Sequence, residues 1–525
     1  MQLLGGSLIL GSLLWLWPQV LTHYEAPPLW LALLAVALAR VPPSLWAWWA
    51  LGLLGVFWSL TPGNTLVLGL WELAYLAAFA AGRWLWGLVG LNLLLLGHGL
   101  LTTLTLAWAG LAMYFSGSSH YVAGAQALAL VPLAAVWMFR SRWPLLGGLL
   151  LTAALYLALL SGARAVYLPL LLGALLLVWR LWREGVGLGR IGLGLGAVLA
   201  AVAAIDLALP FSPVQNALGL KATLSKQVSD ISELGSIGSR LLMWKQTLNM
   251  ALEAPLGTGN GSFREVLAAY QQYPGILFNS AHNYYLETAA TGGWLRFGLL
   301  LYLLGVVLWR GWRTAAWPWA LGAGGVWATL AFDVTGMYPA VMMLAFALLG
   351  AVHAQVAPPG RARWNLLGLG LGLGLIVWWY APCAGNCAIE RYLGYRPAVL
   401  RALEGLPPPE RQHLLEQATL RNPKSLWVYR LRLDEAREAS ERRALLEKIV
   451  RTFPLASPLY YLELAQLLAG SGLKEEARRV LEVGLQHFPL DFRGYEPANF
   501  FGLLSPAYQR WREEAPRLRA RLEGP

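Results

Sequence analysis

About thirteen apolar runs, each close to the roughly 17–25 residues that cross a bilayer, follow one another from the first residues to about residue 382. They lie near 3–22, 28–40, 44–59, 65–82, 84–112, 120–139, 143–161, 165–182, 190–210, 294–309, 315–333, 338–356 and 364–382. In lipid the backbone must satisfy its own hydrogen bonds, so such runs become helices, and a series of this length predicts an all-α, polytopic helical membrane domain of 12–13 spans. A composition of 57% hydrophobic and only 13% charged residues, with 27 Trp, excludes an ordinary soluble domain of 525 residues. No small-residue cleavage pattern follows the first run, which reads as a retained span and not as a removed leader.

Arginines set the expected orientation. Arg40, Arg83, Arg140 with Arg142, Arg180 with Arg183 and Arg190, Arg310 with Arg313, and Arg361 with Arg363 fall in every second connection, and the intervening short ones carry only Arg164. Basic residues in short loops mark the cytoplasmic side. The parity therefore puts the N-terminus inside and the short loops near 23–27, 60–64, 115–119, 161–164 and 334–337 outside. It also makes the long loop 211–293 and everything after residue 382 extracytoplasmic. A net charge of +12 is then a topological signal, and no nucleic acid partner is expected. Cys383 and Cys387, the only two cysteines, fall outside by the same parity, where either a local disulfide or two free thiols fit.

The chain divides into a transmembrane domain, 1–382, that includes the outer loop 211–293, and a soluble helical domain, 383–525. In the latter the helix-ending pairs at 422–423, 453–454 and 488–489 recur 31 and 35 residues apart, close to the 34-residue period of tetratricopeptide (TPR) repeats. The stretch LYYLELAQLLAGSGLKEEARRVLEVGLQHFP resembles one complete unit, with Tyr461, Leu464, Ala465, Gly472, Ala477 and Leu481 at its key positions. A TPR-like platform usually holds a protein partner or clamps onto its own membrane domain. The glycine-rich runs 185–197 and 367–375 have no strand before them and read as close helix packing, not phosphate loops. With no P-loop, HExxH or Asp-X-Asp pair in the chain, neither a nucleotide nor a metal cofactor is expected.

Three outer-face residues are candidates for chemistry. Arg164, in LLSGARAVYLPLLL, either snorkels to the interface or meets an anion. Arg240 opens an amphipathic helix in SRLLMWKQTLNMALEAPLGTGNGSF, and is either a solvated cation or an anion contact beside helix amides. His282, in SAHNYYLETAATGGWLRFG, is either a satisfied interfacial histidine or a base, since imidazole exchanges protons near neutral pH. Asn283, Trp244, Tyr284 and Tyr285 are the accompanying binding candidates, the aromatics as stacking surfaces for sugars.

These strings resemble the signature of the O-antigen ligase and O-antigen polymerase superfamily of bacterial glycan transferases. The likeness runs over roughly residues 1–382: an Arg at the start of a span, an Arg-Trp helix ending at a Pro and a glycine-rich turn, and a His-Asn pair before a helix, a small-residue turn and a span. The family often has an acid before the glycine of the His helix; this chain has TAATGG there, with Glu287 a turn earlier as an orienting candidate. The resemblance implies transfer of a glycan from a polyprenyl (undecaprenyl) pyrophosphate donor to an acceptor hydroxyl, inverting and metal-independent, at the outer face of a bacterial cytoplasmic membrane. It implies Arg164 and Arg240 as pyrophosphate contacts and His282 as general base. The acceptor is left open among a glycolipid, a growing glycan and a protein, the last corresponding to a protein O-oligosaccharyltransferase. A transporter or flippase, using Arg164, Glu72, Asp206 and Asp333, is the competing class.

Overall fold

A computed structural model describes residues 41–85, 119–161, 164–208, 236–274, 279–332, 336, 339–357, 393–491 and 505–524. The spans expected near 3–22, 28–40 and 364–382, most of that near 84–112, and Asp333, Cys383 and Cys387 lie outside the described residues. Every regular element that is described is helical, as an all-α membrane protein requires.

Among the described residues, six helices precede the long loop: α1 (Pro43–Leu54), α2 (Pro62–Leu85), α3 (Ser119–Arg140), α4 (Pro144–Ser161), α5 (Arg164–Arg183) and α6 (Leu188–Ala208). The loop contributes α7 (Ser236–Glu253) and a short α8 (Phe263–Val266). After it come α9 (Tyr284–Trp312), α10 (Trp317–Thr329) and α11 (Pro339–Val356). Ala165–Arg183, Leu188–Ala208 and Tyr284–Trp312 are long and apolar enough to cross a membrane, and Pro43–Phe57, Gly124–Arg140, Pro144–Leu159 and Val341–Val356 are shorter apolar helices.

The bundle closes through small residues where backbones cross. A Cβ on Gly82 would stand 1.9 Å from the Ala347 carbonyl oxygen and one on Gly350 1.8 Å from that of Phe79, so α2 and α11 approach as closely as two helices can. Trp48, Phe79, Trp327 and Phe346 fill the core beside this crossing. Leu168, Leu172 and Leu175 of α5 and Leu193 and Leu199 of α6 face outward, as lipid-facing surface does. In the run 185–197, Gly194 packs against Phe139, while Gly187, Gly189, Gly192 and Gly196 have no neighbour within 4 Å among the described residues.

One end of the bundle gathers three of the Arg-rich connections, those of Arg140, Arg180 and Arg313. Arg140 and Arg180 both bond the Glu184 carboxylate, Arg180 lies 5.6 and 5.8 Å from the rings of Trp312 and Trp317, and Arg313 lies 4.2 Å from that of Trp309.

The tail is a succession of helices, each packed on the next: α12 (Arg396–Gly405), α13 (Pro408–Arg421), α14 (Leu426–Glu435), α15 (Ala439–Thr452), α16 (Pro458–Gly470), α17 (Lys474–His487), then α18 (Ser505–Glu523). Tyr461, Leu464, Ala465, Ala477 and Leu481 are buried between α16 and α17, and Gly472 turns the chain between them at φ +81°, a value that costs glycine little.

Candidate active site

The site end of the bundle is organised by a break in α9. Gly293 has φ +84° and ψ 164°, so the helical bonds across it cannot form. The Trp294 amide donates to the Pro255 carbonyl (3.1 Å), while the carbonyls of Ala290 and Thr291 accept from the amides of Thr258 (3.1 Å) and Gly259 (2.9 Å). The TGG turn in the sequence is thus a socket for the glycine-rich turn after α7, which gives new partners to the Trp294 amide and to the Ala290 and Thr291 carbonyls freed by the kink. Gly259, at φ +110°, allows the fit: a Cβ there would stand 1.9 Å from the Ser59 hydroxyl. Accordingly the helix starts at Tyr284, a full ten residues before the expected span.

Just before α9, His282 has φ +50°, the one non-glycine positive φ among the described residues. Strained backbone persists where its surroundings over-determine it, and functional sites are where it collects. Here the Glu287 carboxylate reaches back one turn and accepts from the Ser280 hydroxyl (3.0 Å) and the Ala281 amide (3.0 Å). Ser280 Oγ in turn accepts from the His282 amide at 3.1 Å. Asn283 caps α9, its Oδ1 accepting from the Leu286 amide at 3.0 Å. Glu287 therefore acts on the backbone that carries His282.

The His282 turn and Arg240 both bond the residues that follow the end of α10. The Tyr284 amide donates to the Leu330 carbonyl at 2.8 Å, and Arg240 donates from α7 to the Phe332 carbonyl at 2.7 Å. Arg164 is the first residue of α5, which packs along α10 and, through Arg180, meets Trp317 at the opposite end of it. The two helices are therefore antiparallel. At 1.5 Å per residue, Arg164 is about 24 Å from Arg180 and Leu330 about 20 Å from Trp317, which puts all three candidate positions at one end of the bundle.

Residues 104–303 match the family model described as O-antigen ligase. This chain carries an O-antigen ligase domain. No curated protein and no solved structure matches it. The ligase domain takes in Arg164, Arg240, His282 and the kink of α9, and assigns the chain in general terms to O-antigen ligase-like glycosyl transfer at a membrane.

The other sequence candidates have structural duties around this ligase domain. The Tyr285 hydroxyl donates to the Trp327 carbonyl at 2.9 Å, Tyr284 packs on the bundle core, and Trp244 packs, partly buried, among loop residues including Met243 and Met250. Sequence reasoning missed Arg296. It is 2% exposed, pairs with Glu72 of α2, donates to the Trp48 carbonyl at 3.2 Å and lies 4.2 Å from the Trp48 ring. A Cβ at Gly52 or at Gly292 would approach it to 2.7 Å. The available signal was an Arg just inside a span and flanked by glycines. Also missed was the joint to the tail. Glu265 of α8 accepts from Ser425 Oγ (3.0 Å) and Arg396 (3.4 Å), while Lys424 donates to the Tyr270 hydroxyl at 3.1 Å and sits 4.3 Å from its ring.

Proposed function

We propose that the protein moves a glycan from a polyprenyl pyrophosphate donor to an acceptor hydroxyl on the extracytoplasmic face, without a metal and with inversion. The acceptor oxygen attacks the anomeric carbon as the bond to the diphosphate oxygen breaks on the opposite face. His282 takes the hydroxyl proton. Arg164 and Arg240 hold the departing diphosphate, where forked, permanently charged donors stabilise developing negative charge. The tail is a TPR-like platform on the same outer face.

One observation carries this reading: the strained His282 turn, fixed through Ser280 and Glu287, shares an end of the bundle with both arginine positions. The same positions serve ligation to a finished acceptor, chain extension and protein O-glycosylation alike. A transport path is disfavoured because Glu72, one of its charges, is locked to Arg296 inside the core.

The test uses the purified full chain in lipid discs with a polyprenyl-pyrophosphate-linked glycan and an envelope acceptor fraction. One polyprenyl diphosphate should be released per glycan joined, with the anomeric configuration inverted by NMR and the rate unchanged by EDTA. Retained configuration, or loss of activity with the chelator, contradicts the proposal.

A further inference from the structure

A cavity of about 440 Å³ lies beside the His282 turn, within the roughly 300–1,000 Å³ typical of small-ligand sites. Asn64, Glu72 and Tyr75 of α2, Asn260 of the glycine-rich turn and Glu287 of α9 line it, and Tyr395, Arg396 and Leu400 at the head of the tail form its outer wall. Neither His282 nor Arg240 is part of the lining.

Two lining groups are buried with no hydrogen-bond partner among the described residues: Nδ2 of Asn260, in a residue 5% exposed, and Oε2 of Glu72, in a residue 3% exposed. Native interiors rarely leave such groups unmatched, so each points to something that is bound there. One is a donor and the other an acceptor. A hydroxyl is the neutral group that answers both, because it donates and accepts through the same oxygen.

Charge narrows the ligand further. The wall holds the acids Glu72, Glu265 and Glu287 against the bases Arg264, Arg296 and Arg396, and Glu72 with Arg296 and Glu265 with Arg396 are already ion pairs. A balanced wall gives no attraction for a diphosphate, which wants an excess of cations. Phe263 and Tyr395 add aromatic surface of the kind that covers the C–H face of a sugar ring.

We propose that this cavity binds one neutral sugar unit of the glycans being joined, with Asn260 donating to it, Glu72 accepting from it and the tail closing over it. The proposal rests on the glycan-transfer reading above, and it gives the tail a part in the site itself. The unit belongs either to the lipid-linked glycan or to the acceptor, and the chemistry is the same for both.

The experiment uses the full chain in lipid discs, with the lipid-linked glycan fraction and the acceptor fraction extracted from envelopes of the source cells, each varied in turn. Asn260→Asp keeps the side-chain size and replaces the donor by an acceptor. Leu400→Trp narrows the mouth from the tail side at a residue 36% exposed, so it decides the matter if Asn260→Asp elutes as aggregate. Each variant should raise KM for one fraction by roughly 2–10-fold, the worth of one net hydrogen bond, and leave kcat near wild type. A rise for the lipid-linked fraction assigns the unit to the transferred glycan, and a rise for the acceptor fraction assigns it to the receiving one. Equilibrium binding of both fractions by tryptophan fluorescence keeps the question separate from transfer. If the wild-type chain proves not to transfer, weaker binding by the two variants still supports the cavity. Unchanged binding of both fractions by both variants overturns the proposal.

Discussion

The two ends of the helical bundle use charge in different ways. At one, Arg140 and Arg180 share the Glu184 carboxylate and Arg180 and Arg313 lie over tryptophan rings, all at or just beyond the ends of regular helices. At the other, irregular backbone does the work: a kink at Gly293 and a glycine-rich turn bond to each other, a left-handed histidine precedes the same helix, and Glu287 and Glu265 serve a loop and the tail. The first end suits anchoring, because paired arginines beside aromatic rings are at home at a membrane interface. The second is costly to build, and such cost is typical of places where a side chain must be held for chemistry.

The contrast breaks most severely at Glu72 and Arg296, which tie α2 to α9 beneath the site end. Glu72→Ala leaves a buried guanidinium unpaired and should cost about 3–5 kcal/mol of stability, read as a fall in the detergent unfolding midpoint. The double replacement Glu72→Leu with Arg296→Met should recover most of that loss. An unfolding midpoint unmoved by Glu72→Ala would make the pair a bystander.

Next in size is the same change made at both ends. Arg240→Ala should lower kcat for transfer roughly 10²–10³-fold, as the loss of one preorganised donor does, and Arg240→Lys should restore only part of it because a point charge lacks the forked geometry. Arg180→Ala at the anchoring end should leave kcat unchanged. Equal losses at both positions would erase the distinction between the ends.

The smallest expected effect is at the tail joint. Glu265→Ala strands the Ser425 hydroxyl and the Arg396 guanidinium and should weaken docking by about 1–3 kcal/mol, seen as faster amide exchange at residues 424–429 while exchange in α16 and α17 is unaltered. Slow exchange at the joint in that variant would place the tail's attachment elsewhere.

How much of this was legible beforehand follows a physical rule. Apolar periodicity marks which residues are covered, so the described spans, the α16–α17 hairpin and its core residues stood in the sequence. The TGG turn was visible as a break, because only glycine takes the φ of residue 293 cheaply. Pairings between distant positions were not visible: Glu72 and Arg296 are 224 residues apart, and Glu265 is 131 and 160 residues from Arg396 and Ser425. Periodicity does not say which faces meet. The unmatched groups of Asn260 and Glu72 were hidden for the same reason, since an orphan is defined by neighbours that only the fold supplies.

The central claim is that His282 accepts the proton of the attacking hydroxyl. Single-turnover release of polyprenyl diphosphate by His282→Gln, on a background where donor binding is measured separately, tests it most directly. Glutamine keeps hydrogen bonding and loses proton acceptance, and removing a positioned base typically costs 10²–10⁴-fold in rate. The account predicts a folded variant that binds donor as tightly as the wild type and releases diphosphate at least about 100-fold more slowly. Release at the wild-type rate would contradict it and move the base to another residue.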